Sequence, residues 1–418
     1  MVINLNKDDK KTVLFIYRGL PTGGIETLIL RKSKWLINNN YKVYLLVSQI
    51  GNMHDLLKKE GVNLIIDNNV LYQPNEIYFS QFISMYNRII NEVLDLNDIK
   101  VIGCFEPIDC FYGLILSKML NTKFITGVFH PLAYCSNFDL SKFESARNLI
   151  HLLDENKCIH FMNEDVIKSH EDFYKLKIKN RAILSLAINI KEKKITTIKN
   201  KCFEILTIGR VVDYKGYFYG LISDYDEFYK EHSNSKLIII GDGSEKKKLI
   251  KYAKTFKSYK EGKIEFLGTV DYDELDKYIY GASMVVGMGT SLLEMASAEI
   301  PAVIAPAFLD NNISNGFVFE DDNVGDIKNS CTKTYKDYID ILYNCNQAEY
   351  TEIAYKCREY VIEKYSMDNI MTRWIEMIDE RKPIVMDLPL DAFVPKSPLK
   401  IFLSLGKRKM KDKLKKNR

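Results

Sequence analysis

Short apolar runs of four to six residues, rich in Val, Ile, Leu and Phe, alternate along this chain with longer segments whose apolar positions recur at helical spacing. Buried parallel strands covered by helices leave this pattern, because a strand hidden on both faces has no polar alternation. In the first half the pattern predicts strands at Val13–Tyr17, Lys42–Val47, Asn63–Ile66, Val101–Cys104, Phe124–Val128 and Ile159–Met162. In the second half it predicts them at Glu204–Ile208, Lys236–Ile240, Ile264–Leu267, Met284–Val286, Ala302–Ile304 and Gly316–Phe319. Two similar series predict an α/β protein made of two doubly wound, Rossmann-like domains. The strand-like Ile183–Ile188 gives way to the Lys-rich stretch 191–201, which marks the seam between domains at 1–190 and 191–365. Helical spacing over Glu349–Asp379, broken at Ser366–Asp368, predicts two consecutive helices; beyond Lys382 the prolines 383, 389, 395 and 398 exclude helix until Ser397–Pro398 offers an N-cap and a first-turn proline.

The chain has 418 residues, 46% of them hydrophobic, which is enough for real cores and excludes global disorder. Its net charge of +4 excludes a nucleic-acid polycation, and no nucleic-acid partner is expected. Lys396–Arg418 holds ten Lys/Arg and one acid, a local +9, so residues 1–395 carry 4 − 9 = −5. The eight cysteines form no C-x-x-C and no zinc-type spacing, the start lacks the apolar core of a secretory signal, and no apolar run approaches ~18–20 residues. A cytoplasmic protein with free thiols is expected.

Three stretches carry chemistry. Arg18-Gly19-Leu20-Pro21-Thr22-Gly23-Gly24-Ile25-Glu26 joins the first strand to a helix over Thr27–Asn38; a glycine pair at a helix start admits a phosphate to the backbone amides, although the same residues also suit a tight turn with no ligand. It is not G-x-G-x-x-G, so NAD and FAD are disfavoured. Next, Ile208-Gly209-Arg210 and Lys215-Gly216 leave a strand end together, and two cations there can neutralise a diphosphate leaving group or simply lie on a solvated loop. Last, Met284–Ala296 reads as strand, glycine turn and buried helix, with Gly289, Thr290 and Ser291 at the helix start and Glu294 in an apolar helix where a carboxylate needs partners or belongs to a core salt bridge.

Taken in order with Ile240-Gly241-Asp242-Gly243 and Phe266-Leu267-Gly268-Thr269-Val270, these motifs resemble the retaining glycosyltransferases of GT-B fold, the large family (group 1, family 4-like) that includes sucrose synthases and bacterial mannosyltransferases. The resemblance covers about 360 residues. It implies a GT-B architecture, two Rossmann-like domains facing each other across a cleft, with a C-terminal helix (366–382) crossing back to the N-terminal, acceptor-side domain and the C-terminal domain binding the nucleotide sugar. It implies that Gly24 and Gly23 present amides to the donor diphosphate, that Arg210 and Lys215 hold the same phosphates, and that Glu294 takes the ribose hydroxyls. The base would rest near Gly268 and Val270, the Thr290, Ser291 and Leu292 turn would complete the phosphate cradle, and His130, in Phe129-His130-Pro131, would lie near the donor sugar. Departures matter too: Val286 stands where the family has the first glutamate of E-x7-E, Glu299 where it favours glycine, and Glu106 where many members have histidine, making Glu106 an acceptor-site candidate.

Asp224-Tyr225-Asp226 and Asp271-Tyr272-Asp273 look like D-x-D metal motifs, but the first lies in a helical pattern and Asp271 with Glu274 fits a capping box. No metal and no cofactor is expected, since Arg210 and Lys215 supply the charge. The resulting expectation is a retaining, metal-independent hexosyltransferase moving sugar from a nucleotide-sugar donor to a hydroxyl, by same-face attack, on a lipid-linked or other glycan acceptor in bacterial surface polysaccharide assembly (lipopolysaccharide or capsule). The alternatives are a non-catalytic GT-B partner of a transferase complex, or a sugar-nucleotide epimerase or phosphorylase. If 397–416 is helical, Leu399, Phe402, Leu403, Met410 and Leu414 share one face among basic residues, which describes a peripheral anchor on the inner face of an anionic membrane; otherwise 383–418 is a solvated tail.

Overall fold

Strands as apolar as Val13–Ile16 or Leu237–Ile240 require cover on both faces, and the computed structural model supplies it with helices. It describes residues 11–19, 24–71, 79–92, 98–131, 133–135, 140–193, 202–271, 274–309, 311–321, 324–325 and 333–383. The chain divides into two compact units, Met1–Ser185 with Met371–Arg418, and Leu186–Ile370.

The first unit runs β1 (Lys11–Ile16), α1 (Gly24–Asn38), β2 (Tyr41–Val47), α2 (His54–Lys59), β3 (Asn63–Ile66), α3 (Phe79–Glu92), β4 (Ile99–Cys104), α4 (Pro107–Met119), β5 (Lys123–Val128), α5 (Leu140–Glu155), β6 (Ile159–Phe161) and α6 (Glu164–Tyr174). Its sheet is parallel, in the order β3-β2-β1-β4-β5-β6. The second runs β7 (Phe203–Ile208), α7 (Tyr217–Glu231), β8 (Ser235–Ile240), α8 (Lys246–Ala253), α9 (Lys257–Lys260), β9 (Ile264–Gly268), α10 (Leu275–Gly281), β10 (Met284–Gly287), α11 (Gly289–Ser297), β11 (Ala302–Ile304), β12 (Gly316–Phe317), α12 (Tyr335–Asn344) and α13 (Gln347–Tyr365). Its order is β12-β11-β10-β7-β8-β9. In each sheet the connections diverge at one place, between β1 and β4 and between β7 and β10, and in open α/β sheets ligands bind beyond the carboxyl ends of the strands at such a point.

Most strands differ from the sequence reading only in their end residues. β12 differs in kind: it is antiparallel to β11 and stops at Phe317, where Glu320 N–H closes a turn on its carbonyl at 2.8 Å. A parallel return needs a crossover of roughly a dozen residues or more, usually a helix, and among the described residues of 305–315 there is none. Ile183–Ile188 makes only isolated bridges, to Phe161 and Ser366. α10 begins at Leu275; Glu274 N–H donates to the Asp271 carbonyl at 3.0 Å, and Tyr272 and Asp273, on which a capping box at Asp271 bears, lie outside the described residues. By contrast α12 and α13 carry full capping boxes, Thr334 with Asp337 and Asn346 with Glu349.

A final helix, α14 (Met367–Asp379), follows α13 directly, and from Met371 onward it belongs to the first unit. There Trp374 is 2% exposed, its ring 6.0 Å from that of Phe15 on β1. Burying an indole of about 200 Å² at ~25 cal/mol per Å² contributes roughly 5 kcal/mol, which fastens the crossing helix to this sheet. No helix among the described residues is long and apolar enough to cross a membrane. The Ser397–Pro398 cap and the basic segment 397–418 lie outside the described residues.

Candidate functional site

Each unit presents its own set of groups at its switch point. In the second unit, β7 ends and Gly209 and Arg210 leave the sheet, Arg210 exposed. A single helical turn at Asp213–Lys215 swings Lys215 back, so that its Nζ lies 3.1 Å from where a Cβ on Gly209 would stand. On the adjacent β10, Gly287 and Met288 lead into α11, whose first residue, Gly289, has φ +68° and donates its N–H to the Val324 carbonyl at 2.7 Å. Met288 offers no side-chain cap to the helix, so beyond Gly289 no cap competes with a phosphate for the first-turn amides. Ser291 Oγ donates to the Ile208 carbonyl at 3.0 Å and so ties the helix start to the end of β7. Beneath them the buried Tyr217 hydroxyl lies 3.2 Å from Thr207 Oγ1.

Arg210, Lys215, Thr290 and Ser291 thus lie on the two strand ends that flank one switch point. Leu292 is fully buried, so only its backbone can face a ligand, and Glu294 is 8% exposed one turn into α11. Gly268 closes β9 with φ +69°, and Val270, half-buried, follows it. Gly241 donates its N–H to the Gly268 carbonyl at 2.8 Å and has φ +141°; a Cβ there would collide with the Gly209 carbonyl, so this glycine lets the β7 and β8 ends close up. Val286 lies inside β10, fully buried and paired with Val303. Glu299 occupies a left-handed conformation, φ +63°, just past α11, which accounts for the family's glycine there; it keeps its place through ion pairs to Lys193 (2.8 Å) and Arg358 (4.0 Å).

Asp224 accepts from Asn312 Nδ2 (2.7 Å) and the Lys336 amide (2.9 Å), while Asp226 accepts from the amide and hydroxyl of Ser258 (2.8 and 2.7 Å). Both carboxylates are spent on holding helices together. Tyr272 and Asp273, and with them the second D-x-D stretch, lie outside the described residues, as does Gly23.

In the first unit the β1 end carries Tyr17 and Arg18, and the β4 end carries Glu106. Arg18 Nη2 donates to Glu106 Oε2 at 2.7 Å, and its Nε stands 3.7 Å from Asp109 Oδ1. Asp109, in the first turn of α4, is completely buried, and among the described residues neither of its oxygens meets a hydrogen-bond partner of good geometry. Burial drives its carboxyl well above the ordinary range against the pull of Arg18. Tyr17 donates to Glu26, a buried acid in the first turn of α1, at 2.8 Å, and Gly24 opens that helix exposed. His130 stands two residues past β5; partial burial of its ring lowers its pKa, although the residue as a whole is exposed. Arg18 and Asp109 carry no role in the sequence reading; the signal for Arg18 is its place at a strand end, but its partner is 88 residues away.

Behind this edge lies a small cavity lined by Phe15, Lys32, Phe105, Phe129, His160 and Trp374, among others. Lys32 is 3% exposed and its Nζ lies 4.8, 5.8 and 6.0 Å from the ring centres of Trp374, Phe129 and Phe105. Desolvation lowers its pKa to about 7. His160, 1% exposed, has an Nδ1 without a partner among the described residues and a pKa held well down by burial and by Lys32.

Two six-stranded Rossmann-like sheets with a C-terminal helix returning to the first unit define the GT-B class of glycosyltransferases. Residues 189–352 match the model of glycosyl transferases group 1, which places that part of the chain in the family. A glycosyltransferase from Rickettsia africae aligns with a TM-score of 0.65 at 16% identity, over 89% of this chain and 98% of that one. HepE from Anabaena, solved with UDP, gives 0.64 at 13% identity over 88% and 99%, and TarM gives 0.60 at 15% over 88% and 99%. Among curated proteins, the poly(ribitol-phosphate) alpha-N-acetylglucosaminyltransferase of Staphylococcus aureus (strain COL) is 27% identical over 158 residues, 36% of this chain. The chain spans 30% of that relative's length.

Proposed function

We propose that this protein is a retaining glycosyltransferase that moves a hexose from a nucleotide-sugar donor to a hydroxyl of a lipid-linked glycan in bacterial surface polysaccharide assembly. The observation that carries this reading is the second unit's switch point, where Lys215 folds over Gly209 and the uncapped start of α11 is tied to β7 through Ser291. As the anomeric C–O bond lengthens, negative charge grows on the diphosphate. Arg210, Lys215 and the Thr290–Ser291 amides would stabilise that charge more in the transition state than in the ground state, which is what accelerates the step. Glu294 would hold the ribose, and the backbone from Gly268 to Val270 the base. The first unit would contribute the Gly24 amide to the diphosphate, and His130, its imidazole biased to the neutral form, would hydrogen-bond the donor sugar without repelling a developing oxocarbenium ion. Attack comes from the departing phosphate's side of the ring, and that phosphate takes the acceptor proton. Glu106 would partner the acceptor hydroxyl. The curated S. aureus relative and the structural similarity to a lipopolysaccharide outer core galactosyltransferase support surface glycan as the product class.

Titration of UDP-, GDP- and ADP-sugars into wild type and Arg210→Ala, read by calorimetry, tests this. A charge-assisted contact to phosphate is worth ~1.5–3 kcal/mol, so the variant should bind the preferred donor about 10- to 100-fold more weakly. Equal affinities would remove Arg210 from the site, no donor binding at all would leave the non-catalytic partner reading, and donor turnover without an acceptor would favour the epimerase.

A further inference from the structure

The loop after β11 carries a feature that packing does not require. Phe308 is a bulky residue at φ +60°, in the left-handed region, and it is 67% exposed. Such a conformation costs energy for any residue with a Cβ, and such residues persist where the surroundings over-determine them, characteristically at ligand sites. Here the surroundings do so. Ala305 N–H donates to the Gly287 carbonyl, Ala307 N–H to that of Gly325 and Phe308 N–H to that of Tyr214, each at 2.7 Å, and Asn312 is held by Asp224. The result is an aromatic pair, Tyr214 and Phe308, with ring centres 5.8 Å apart and planes inclined at 41°. Tyr214 is the residue before Lys215, so the pair stands beside the proposed diphosphate site and on the same carboxyl edge of the sheet.

We propose that Tyr214 and Phe308 form a stacking platform for the apolar face of a pyranose ring in the acceptor glycan. The inference rests on the transferase reading and adds the acceptor's chemistry to it. The order of strands along the edge decides the occupant. The base is assigned to the end of β9, the phosphates to β7 and β10, and β11 lies on the far side of the phosphates from the base. A nucleobase is thereby excluded from the platform. Phe308 N–H bonds the carbonyl of Tyr214, the residue before Lys215, so the platform adjoins the phosphate-binding turn on its β11 side, and same-face attack brings the acceptor's hydroxyl, and with it the receiving sugar ring, to the side of the departing phosphate. The electron-rich faces of two uncharged rings attract the weakly positive C–H bonds of a sugar face, a contact that needs no charge and suits a neutral polyol.

Phe308→Gly is the informative variant, because glycine accepts φ +60° without strain. It should fold at least as well as wild type, with a thermal midpoint up to about 2–4 °C higher, while losing the platform. The probes are the methyl α-pyranosides of glucose, galactose and mannose, observed by saturation-transfer NMR with and without UDP, alongside calorimetric affinities for the nucleotide sugars. Wild type should saturate the ring C–H protons of one face of at least one glycoside, Phe308→Gly should weaken that binding about tenfold, and Phe308→Leu should restore little of it. Donor affinity should stay within about twofold. Undiminished glycoside signals in Phe308→Gly, or none with wild type, overturn the proposal, and a loss of donor affinity instead would reassign the rings to the donor. Failure of wild type to bind any nucleotide sugar would count against the transferase reading separately, since the glycoside signals are read without donor as well.

Discussion

Lys32 offers the sharpest physical test of the first unit. Its amine lies among Trp374, Phe129 and Phe105, 3% exposed, and burial lowers its pKa from 10.5 to about 7. In the unfolded chain the lysine is charged up to about pH 10.5, so between the two values the unfolded state binds one more proton than the native state. Stability must therefore rise with pH across that window and be flat, on this account, below it. At ~1.36 kcal/mol per pH unit the interval is worth roughly 5 kcal/mol, from which attraction of the cation to three rings returns about a quarter, at ~0.5–2 kcal/mol. Lys32→Met keeps the length and removes the charge. It should stabilise the first unit by roughly 3–5 kcal/mol at pH 7 but by only about 1 kcal/mol at pH 9.5, where one pH unit of the window remains. Both tryptophans, Trp35 and Trp374, belong to the first unit, so urea unfolding followed by tryptophan fluorescence reads that unit alone. Thiols and tyrosines buried elsewhere impose opposite slopes above pH 9, but they act equally on wild type and variant and cancel in the difference. A difference that stays constant from pH 7 to 9.5 would refute the reasoning, and so would a variant less stable than wild type at pH 7.

Two more expectations concern buried acids. At Glu299, φ +63° strains any side chain, so Glu299→Gly and Glu299→Ala both lose the ion pairs to Lys193 and Arg358 but only alanine keeps the strain; thermal melts should place the glycine variant ~1–2 kcal/mol above the alanine variant. Asp109 has its pKa raised by burial, so the native state holds a proton that the unfolded state releases above about pH 4, and stability falls as pH rises through that window. Asp109→Asn should therefore gain on wild type in urea midpoints as pH rises above about 4, and a difference that shrinks instead would show the carboxyl to be ionised.

The framework of this fold is local and can be read locally. Met284–Val286 is an apolar run too short for a helix, Gly289 is where such a strand turns, and the match of Ala302–Ile304 follows from the same logic. What depends on distance in the chain is invisible there. Arg18 acquires its meaning from Glu106 and Asp109, and Trp374 from Phe15, pairs that no spacing rule joins. Lys32 is an intermediate case: it falls on the face of α1 shared by Leu28, Ile29 and Leu36, so a cation in an apolar helical stripe is legible, while its consequence requires the aromatic rings of β4, β5 and α14 loops and helices around it. Phe308 has no such signal, because a left-handed turn is normally announced by glycine or asparagine and here it is imposed by three backbone hydrogen bonds from other loops.

The chemical contrast between the two switch points bears on which half does what. At β7 and β10 the side chains at the edge are Arg210, Lys215 and Thr290, with the amides of a helix start that no side chain caps, donors toward an anion, while Ser291 gives its hydroxyl proton to the Ile208 carbonyl. At β1 and β4 they are Arg18, Glu106, Asp109, Tyr17 and Glu26, already paired with one another, so the cation is neutralised and acceptor oxygens predominate. A diphosphate gains from the first set and meets like charge at the second, whereas a hydroxyl needs an acceptor for its proton and a donor for its lone pair, which Glu106 and Arg18 offer 2.7 Å apart. The same topology, built twice, thus carries opposite electrostatics, and the division of donor and acceptor duties in the proposed transferase follows from side-chain chemistry even where the two sheets are alike.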